Sequence, residues 1–136
     1  MSPRFFMAAA MMVSAVGSAQ ACRSPDAEDH VFFAHRPTRL PDSVQFLKVR
    51  VDDPDRLSYG HTEFATVTVL EKKLGFRAGE KLRVKASLSS SCSHWGHTQG
   101  FVYVAGYIRR HAGRKVFEAR SYRPFLIGAV PRKRNP

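Results

Sequence analysis

Leu82-Arg83-Val84-Lys85-Ala86-Ser87-Leu88, then Ser89-Ser90-Ser91-Cys92-Ser93-His94-Trp95-Gly96-His97-Thr98-Gln99-Gly100, then Phe101-Val102-Tyr103-Val104-Ala105-Gly106-Tyr107: this run decides the fold. In its first part Leu82, Val84, Ala86 and Leu88 fall on one face, and Arg83, Lys85 and Ser87 on the other. That is the period-2 signature of a strand with one buried face. The last part is aromatic and β-branched and suits a strand with apolar neighbours on both sides. Between them lies a Ser/Gly/His loop that carries one of the two cysteines, with Trp95 expected to fold onto the core.

Outward from this run, the chain keeps the same rhythm. Upstream, Leu47, Val49 and Val51 alternate with Lys48 and Arg50 until Asp52-Asp53-Pro54-Asp55 breaks the strand. Glu63 to Glu71 alternates again, and Gly75 and Gly79 flank its short connection to the Leu82 strand, so these two are expected to form an antiparallel hairpin. Earlier still, His30 to Ala34 is an apolar patch that fits either an edge strand or one helical turn. Downstream, His111 to Arg114 reads as a turn and Lys115 to Ala119 as a short strand. Pro124 and Gly128 interrupt the last apolar run, Phe125 to Val130, leaving a weak helix or an irregular covering segment. The expected fold is all-β with small α content: a five- to six-stranded antiparallel barrel, closed so that no long edge is exposed.

The N-terminus does not belong to that barrel. Met1-Ser2-Pro3-Arg4 is a basic start, Phe5 to Val16 is apolar and uncharged, and Ala19-Gln20-Ala21 places small residues at −3 and −1. Residues 1–21 therefore read as a secretory signal peptide cut after Ala21, followed by one domain over 22–130 and a basic, disordered tail over 131–136. A retained anchor helix is the alternative, although the apolar part is too short for a span. The expected location is secreted or periplasmic. Lipidation of Cys22 would instead tie the protein to a membrane, but Ala19 and Gln20 make a poor lipobox.

The 136 residues carry 22 Lys and Arg against 11 Asp and Glu, for a formal charge of +11. From Arg109 onward nine bases face one acid, Glu118. Arg109, Arg110, Arg114, Lys115, Arg120 and Arg123 are thus candidate contacts to an anionic partner such as lipopolysaccharide, anionic lipid or an acidic protein face. The alternative is a plain solvated surface. Tyr103 and Tyr107 precede these bases on one strand face, a combination that can bind single strands. Export argues against nucleic acid as the natural ligand, and tyrosines so placed are commonly core residues.

Two cysteines in an exported chain allow one bridge, Cys22–Cys92, tethering the mature N-terminus to the middle of the chain. Free thiols are the alternative. Cys92, His94 and His97 form C-x-H-x-x-H, a spacing that could hold zinc or copper with His61 or His111 as a further ligand. A disulfide would consume the thiolate such a site needs. Ser89, Ser90 and Ser91 near His94 lack a G-x-S-x-G elbow, Asp52, Asp53 and Asp55 sit in a solvated turn, and no phosphate-binding glycine loop is present. The chain is read as a non-catalytic binding module without a cofactor.

A family resemblance rests on the mature N-terminal Cys22, Phe64-Ala65-Thr66-Val67-Thr68-Val69-Leu70-Glu71, Gly79-Glu80-Lys81-Leu82-Arg83-Val84, Ser89-Ser90-Ser91-Cys92, and Gly100-Phe101-Val102-Tyr103-Val104-Ala105-Gly106. In this order they resemble the netrin-like module shared with the tissue inhibitors of metalloproteinases, an OB-fold barrel. The resemblance implies the Cys22–Cys92 pairing. It also implies an alternative function, metalloprotease inhibition, in which the amine and carbonyl of Cys22 would chelate the protease zinc. The chain departs from the pattern at Arg23 and Ser24, where the inhibitors have Cys-x-Cys. It departs again at Ser93, where they usually have Gly, and at Ser121, near which the family often has a later cysteine.

Overall fold

The computed structural model describes residues 28–58, 63–88 and 93–131. Seven strands and one short helix follow in chain order: β1 Asp29–Phe33, β2 Gln45–Val51, α1 Pro54–Ser58, β3 Phe64–Val69, β4 Lys81–Ala86, β5 Ser93–Gly96, β6 Phe101–His111 and β7 Arg114–Ala119.

Alternation builds each wall. In β4 every second residue is buried, so Leu82, Val84 and Ala86 face inward while Lys81, Arg83 and Lys85 face solvent. The neighbours β2 and β3 repeat the pattern with Leu47, Val49, Val51 and Ala65, Val67, Val69. These side chains fill one core with Val102 and Val104 of β6 and Phe117 and Ala119 of β7. Burial of that many branched and aromatic side chains is the main force holding the sheet closed.

The strand order is β2-β3-β4-β7-β6, with β6 returning to pair with β2 and close the barrel. β2–β3, β3–β4, β6–β7 and β2–β6 are antiparallel, and the β4–β7 pair is parallel. With barrel strands numbered in chain order this is 1-2-3-5-4-1, the five-stranded Greek-key arrangement of an OB fold. β6 is long because it must serve both neighbours. Its first half pairs with β2 and its second half with β7, and Gly106 is in register with Gln45 on one side and Ala119 on the other.

The expected hairpin between the Glu63 and Leu82 strands is present, with Phe64 opposite Lys85 and Thr68 opposite Lys81. Its connection contains a tight turn at Leu74 (φ 56°) and Gly75 (φ 79°), after which Phe76 enters the core. The turn after β6 is shorter than the expected His111–Arg114: His111 and Arg114 are still paired, and only Ala112 and Gly113 turn, both at positive φ. That is the two-residue geometry whose twist matches the flanking strands.

Two strands lie outside the barrel. The His30–Ala34 patch resolves as a strand, β1, but not as an edge: it pairs antiparallel with β6 on one side and parallel with β5 on the other, and β5 is the edge. β5 corrects the expected loop: Ser93 to Gly96 is a strand, in register with Asp29 to Phe32. Trp95 drives it, because its ring stacks on Phe32 at 5.5 Å and joins the core, as expected of that side chain. The acidic turn Asp52 to Asp55 likewise leads into one helical turn, α1, with Pro54 at its first position, where a missing N–H costs nothing.

A second, smaller core covers the outside of β1 and β6. Phe33, Val44, Ala105, Ile127 and Ala129 meet there, flanked by half-buried Tyr103, Tyr107 and Tyr122. The segment after β7 is therefore a covering segment made of turns, as one of the two expectations held. The tyrosines border this outer core rather than line the barrel.

Candidate functional site

Because β4 points Arg83 and Lys85 outward, they stand beside the outward residues of β3 and β7. Across β3–β4 the register puts Thr66 against Arg83 and Phe64 against Lys85. Across β4–β7 it puts Arg83 beside Val116 and Lys85 beside Glu118, and β6 adds Arg109 opposite Val116 and Tyr107 opposite Glu118. The outcome is two parallel rows on one face of the barrel, Thr66–Arg83–Val116–Arg109 and Phe64–Lys85–Glu118–Tyr107.

Arg83 lies over the Phe64 ring at 4.2 Å and Lys85 at 5.9 Å; Arg109 and Arg120 lie over Tyr107 at 5.9 and 5.3 Å. Stacking on a ring orients a cation without neutralising it. Arg109 also reaches Glu118 at 3.5 Å. Arg83 and Lys85 have no carboxylate within ion-pair distance among the described residues. Arg83 and Lys85 are thus held in place with their charge still available, whereas Arg109 shares its charge with Glu118.

Four of the bases singled out from the sequence gather around the β6–β7 turn, Arg109 and Arg114 in phase with this face and Arg110 and Lys115 in the opposite phase. Arg110 is paired with Lys115 and His111 with Arg114 around the Ala112–Gly113 turn, with Arg109 one step further along β6. Lys115 reaches over the rim of the barrel to the Phe76 ring at 5.6 Å. Arg123 is not part of the group. It pairs with Asp29 at 3.9 Å, where His30 and Tyr122 exchange backbone hydrogen bonds of 2.8 and 3.0 Å. Phe64, Arg83 and Lys85 were not candidates from sequence. Their outward phase was legible in the alternation, but the ring of β3 beneath the cations of β4 depends on cross-strand register.

A second basic-aromatic group lies on the outside of β2. Lys73 sits over Phe46 at 3.3 Å with Arg36 on the same ring at 5.1 Å, and Lys48 over Phe101 at 4.4 Å. Burial, with Arg36 nearby, pushes the Lys73 ammonium below its ordinary pKa, and Glu71 offsets part of this.

The histidines collect elsewhere. His30, His35, His94 and His97 line a cavity of about 460 Å³ between β1, β5 and the covering segment. Parallel pairing sets His30 beside His94, and Glu28 lies between them at 3.7 and 3.9 Å from their Nε2 atoms. His94 and His97 therefore do share a cavity, with partners the sequence had not suggested. His111 is at the β6–β7 turn and does not line it. Among the described residues no group of three or more His, Asp or Glu has the geometry to hold a metal ion. Cys22, Cys92 and His61, the expected signal peptide over 1–21 and residues 132–136 of the expected basic tail lie outside the described residues. No helix among the described residues is long and apolar enough to cross a membrane.

Asp52 is the one carboxylate with a shifted pKa among the described residues. Burial pushes it up, but the Thr68 hydroxyl (2.6 Å), the Lys81 ammonium (2.9 Å) and nearby Arg50 more than offset that and hold it below the ordinary value. Lys81 also donates to Thr68 Oγ1 at 2.8 Å, closing a three-membered network that pins the start of the β2–β3 connection to β3 and β4. Its role there is structural.

No family model, curated protein or solved structure matches this chain.

Proposed function

We propose that this protein is an exported, non-catalytic binding module, bridged between Cys22 and Cys92, that takes an anionic partner of the cell envelope on the outer face of β3, β4, β7 and β6. One observation carries the reading: Arg83 and Arg109 share a row across Val116, Lys85 stands in the next row, and Phe64 and Tyr107 orient them next to the cations of the β6–β7 turn. In an OB barrel the second and third strands, with the loops after the first and fourth, form the customary surface for oligonucleotides and oligosaccharides. Here those positions correspond to β3, β4, the β2–β3 connection and the β6–β7 turn. The signal peptide favours an acidic saccharide or lipopolysaccharide over nucleic acid.

Two measurements test this. The intact mass of the exported protein should correspond to residues 22–136 less two hydrogens, reporting cleavage and the bridge together; a reduced or uncleaved chain contradicts the export reading. On immobilised heparin, retention should fall steeply with added salt. The Arg83→Ser/Lys85→Ser/Arg109→Ser variant should elute at markedly lower salt than a control variant with three cations replaced on the β2 side. Equal elution of the two would leave the face without a special role.

A further inference from the structure

The segment after β7 shows the reverse of ordinary burial. Phe125 is 66% exposed and Leu126 61%, while the next residues in the same turn, Ile127 and Ala129, are 3% and 2% exposed. This is a fixed arrangement. Leu126 N–H donates to the Arg123 carbonyl at 3.0 Å, Gly128 to Phe125 at 3.3 Å and Ala129 to Pro124 at 2.8 Å. The Ile127 carbonyl accepts from both Thr38 (2.9 Å) and Arg39 (3.0 Å), and Ile127 plugs the outer core. Gly128 sits at φ +67°, packed so closely on Thr38 that a Cβ there would collide with its hydroxyl. The backbone is thus clamped on one side and holds two large apolar side chains out on the other.

Adjacent exposed apolar side chains on a rigid turn mark a surface that meets an apolar phase. The cations around it choose which. Exposed Arg39 follows the Thr38 contact and comes within 3.5 Å of the Gly128 Cβ position, and half-exposed Arg123 begins the turn. Two acids lie near: Asp29 at 3.9 Å from Arg123, in a solvent-exposed pair, and Glu28, turned into the histidine cavity between His30 and His94. An exposed two-residue apolar tip flanked by two arginines, on a chain of net charge +11, fits the interface of an anionic bilayer, where apolar groups enter the acyl boundary and cations meet phosphates. It lacks the flat extent of an interface between proteins.

We propose that the Pro124–Gly128 turn is a membrane-interface anchor: Phe125 and Leu126 insert below the headgroups of an anionic bilayer, with Arg39 and Arg123 at the phosphate level. This goes beyond the binding reading above and uses a different part of the surface.

The test is co-sedimentation of the exported protein with vesicles of phosphatidylglycerol in phosphatidylcholine and with vesicles of phosphatidylcholine alone. Binding is expected to the first and to be weak for the second. Phe125→Ser/Leu126→Ser should lower the partition coefficient roughly a hundredfold, about tenfold per side chain. Its thermal unfolding and heparin elution should be unchanged, because neither side chain is in a core or on the basic face. Arg39→Gln/Arg123→Gln should lose the preference for anionic vesicles. In a Trp95→Phe background, the single indole of a Phe125→Trp variant should shift its emission to the blue on adding the anionic vesicles. Three results would each overturn the anchor: wild-type protein that ignores both vesicles, a double serine variant that binds as well as wild type, or an indole emission in the Phe125→Trp variant that stays unshifted. So would a double serine variant whose only change is the loss of a dimer, which would make the turn a contact between copies.

Discussion

Gly106→Ala tests the barrel at the point where it closes. Gly106 is the residue of β6 that faces β2 and β7 at once. A Cβ there would lie 2.0 Å from the Glu118 carbonyl oxygen and 2.9 Å from Ala119 Cα, where ordinary contact begins at 3.4 Å. Both obstacles are backbone, so no side chain can swing away, and β7 would have to retreat by more than an ångström. Overpacking costs about 1–3 kcal/mol, and weakening one or two ladder hydrogen bonds adds about 1 kcal/mol each. The lower chain entropy of Ala returns about 0.5–1 kcal/mol. The net expectation is a loss of about 2–4 kcal/mol. For a domain of about a hundred residues that is a fall in Tm of roughly 10–25 °C. Urea and thermal unfolding followed by circular dichroism would measure it. Gly113→Ala is the control: nothing lies within 4 Å of its Cβ site, and its cost comes from a φ of +78° alone, about 1–2 kcal/mol. A Gly106→Ala protein within about 0.5 kcal/mol of wild type, or no worse than Gly113→Ala, would refute the close approach of β6 and β7.

Two further substitutions separate packing from polarity. Trp95 Nε1 is buried and finds no hydrogen-bond partner among the described residues, so Trp95→Phe should be neutral or slightly stabilising. Trp95→Ala should cost about 3–5 kcal/mol by opening a cavity against Phe32; urea unfolding compares them, and a costly Trp95→Phe would mean that the N–H is satisfied. Asp52, whose pKa is depressed in the folded state, contributes stability that is present above its unfolded value near 3.9 and is lost as pH falls through the folded one. Asp52→Asn should therefore cost no more than about 1 kcal/mol at neutral pH, since Lys81 is largely exposed, and should flatten the acid limb of the stability profile below about pH 4. An unchanged acid limb would show that the carboxylate is not held by Thr68 and Lys81.

Much of the wall of the barrel was legible in the chain, and the reasons are local. Leu82-Arg83-Val84-Lys85-Ala86 declares its two faces because successive side chains in a strand point oppositely, whatever the partner strand is. β5 escaped because Ser93-His94-Trp95-Gly96 is short, polar and poor in β-formers; only the contact of Trp95 with Phe32, far away in sequence, makes it a strand. The basic run after Arg109 was visible as composition. Its grouping with Arg83 and Lys85 was not, since the parallel β4–β7 pairing that joins them is a long-range contact with no local signature.

Period-2 alternation, the uncharged apolar run from Phe5 to Val16 and the excess of cations belong to the amino-acid order, because each arises from near neighbours or from a sum over residues. The 1-2-3-5-4-1 closure, the aromatic rings under Arg83 and Arg109, and the outward hold on Phe125 and Leu126 belong to the folded chain. Each depends on which distant backbone lies alongside. Ile127 is buried and Leu126 exposed only because Thr38 and Arg39 arrive to clamp the turn between them.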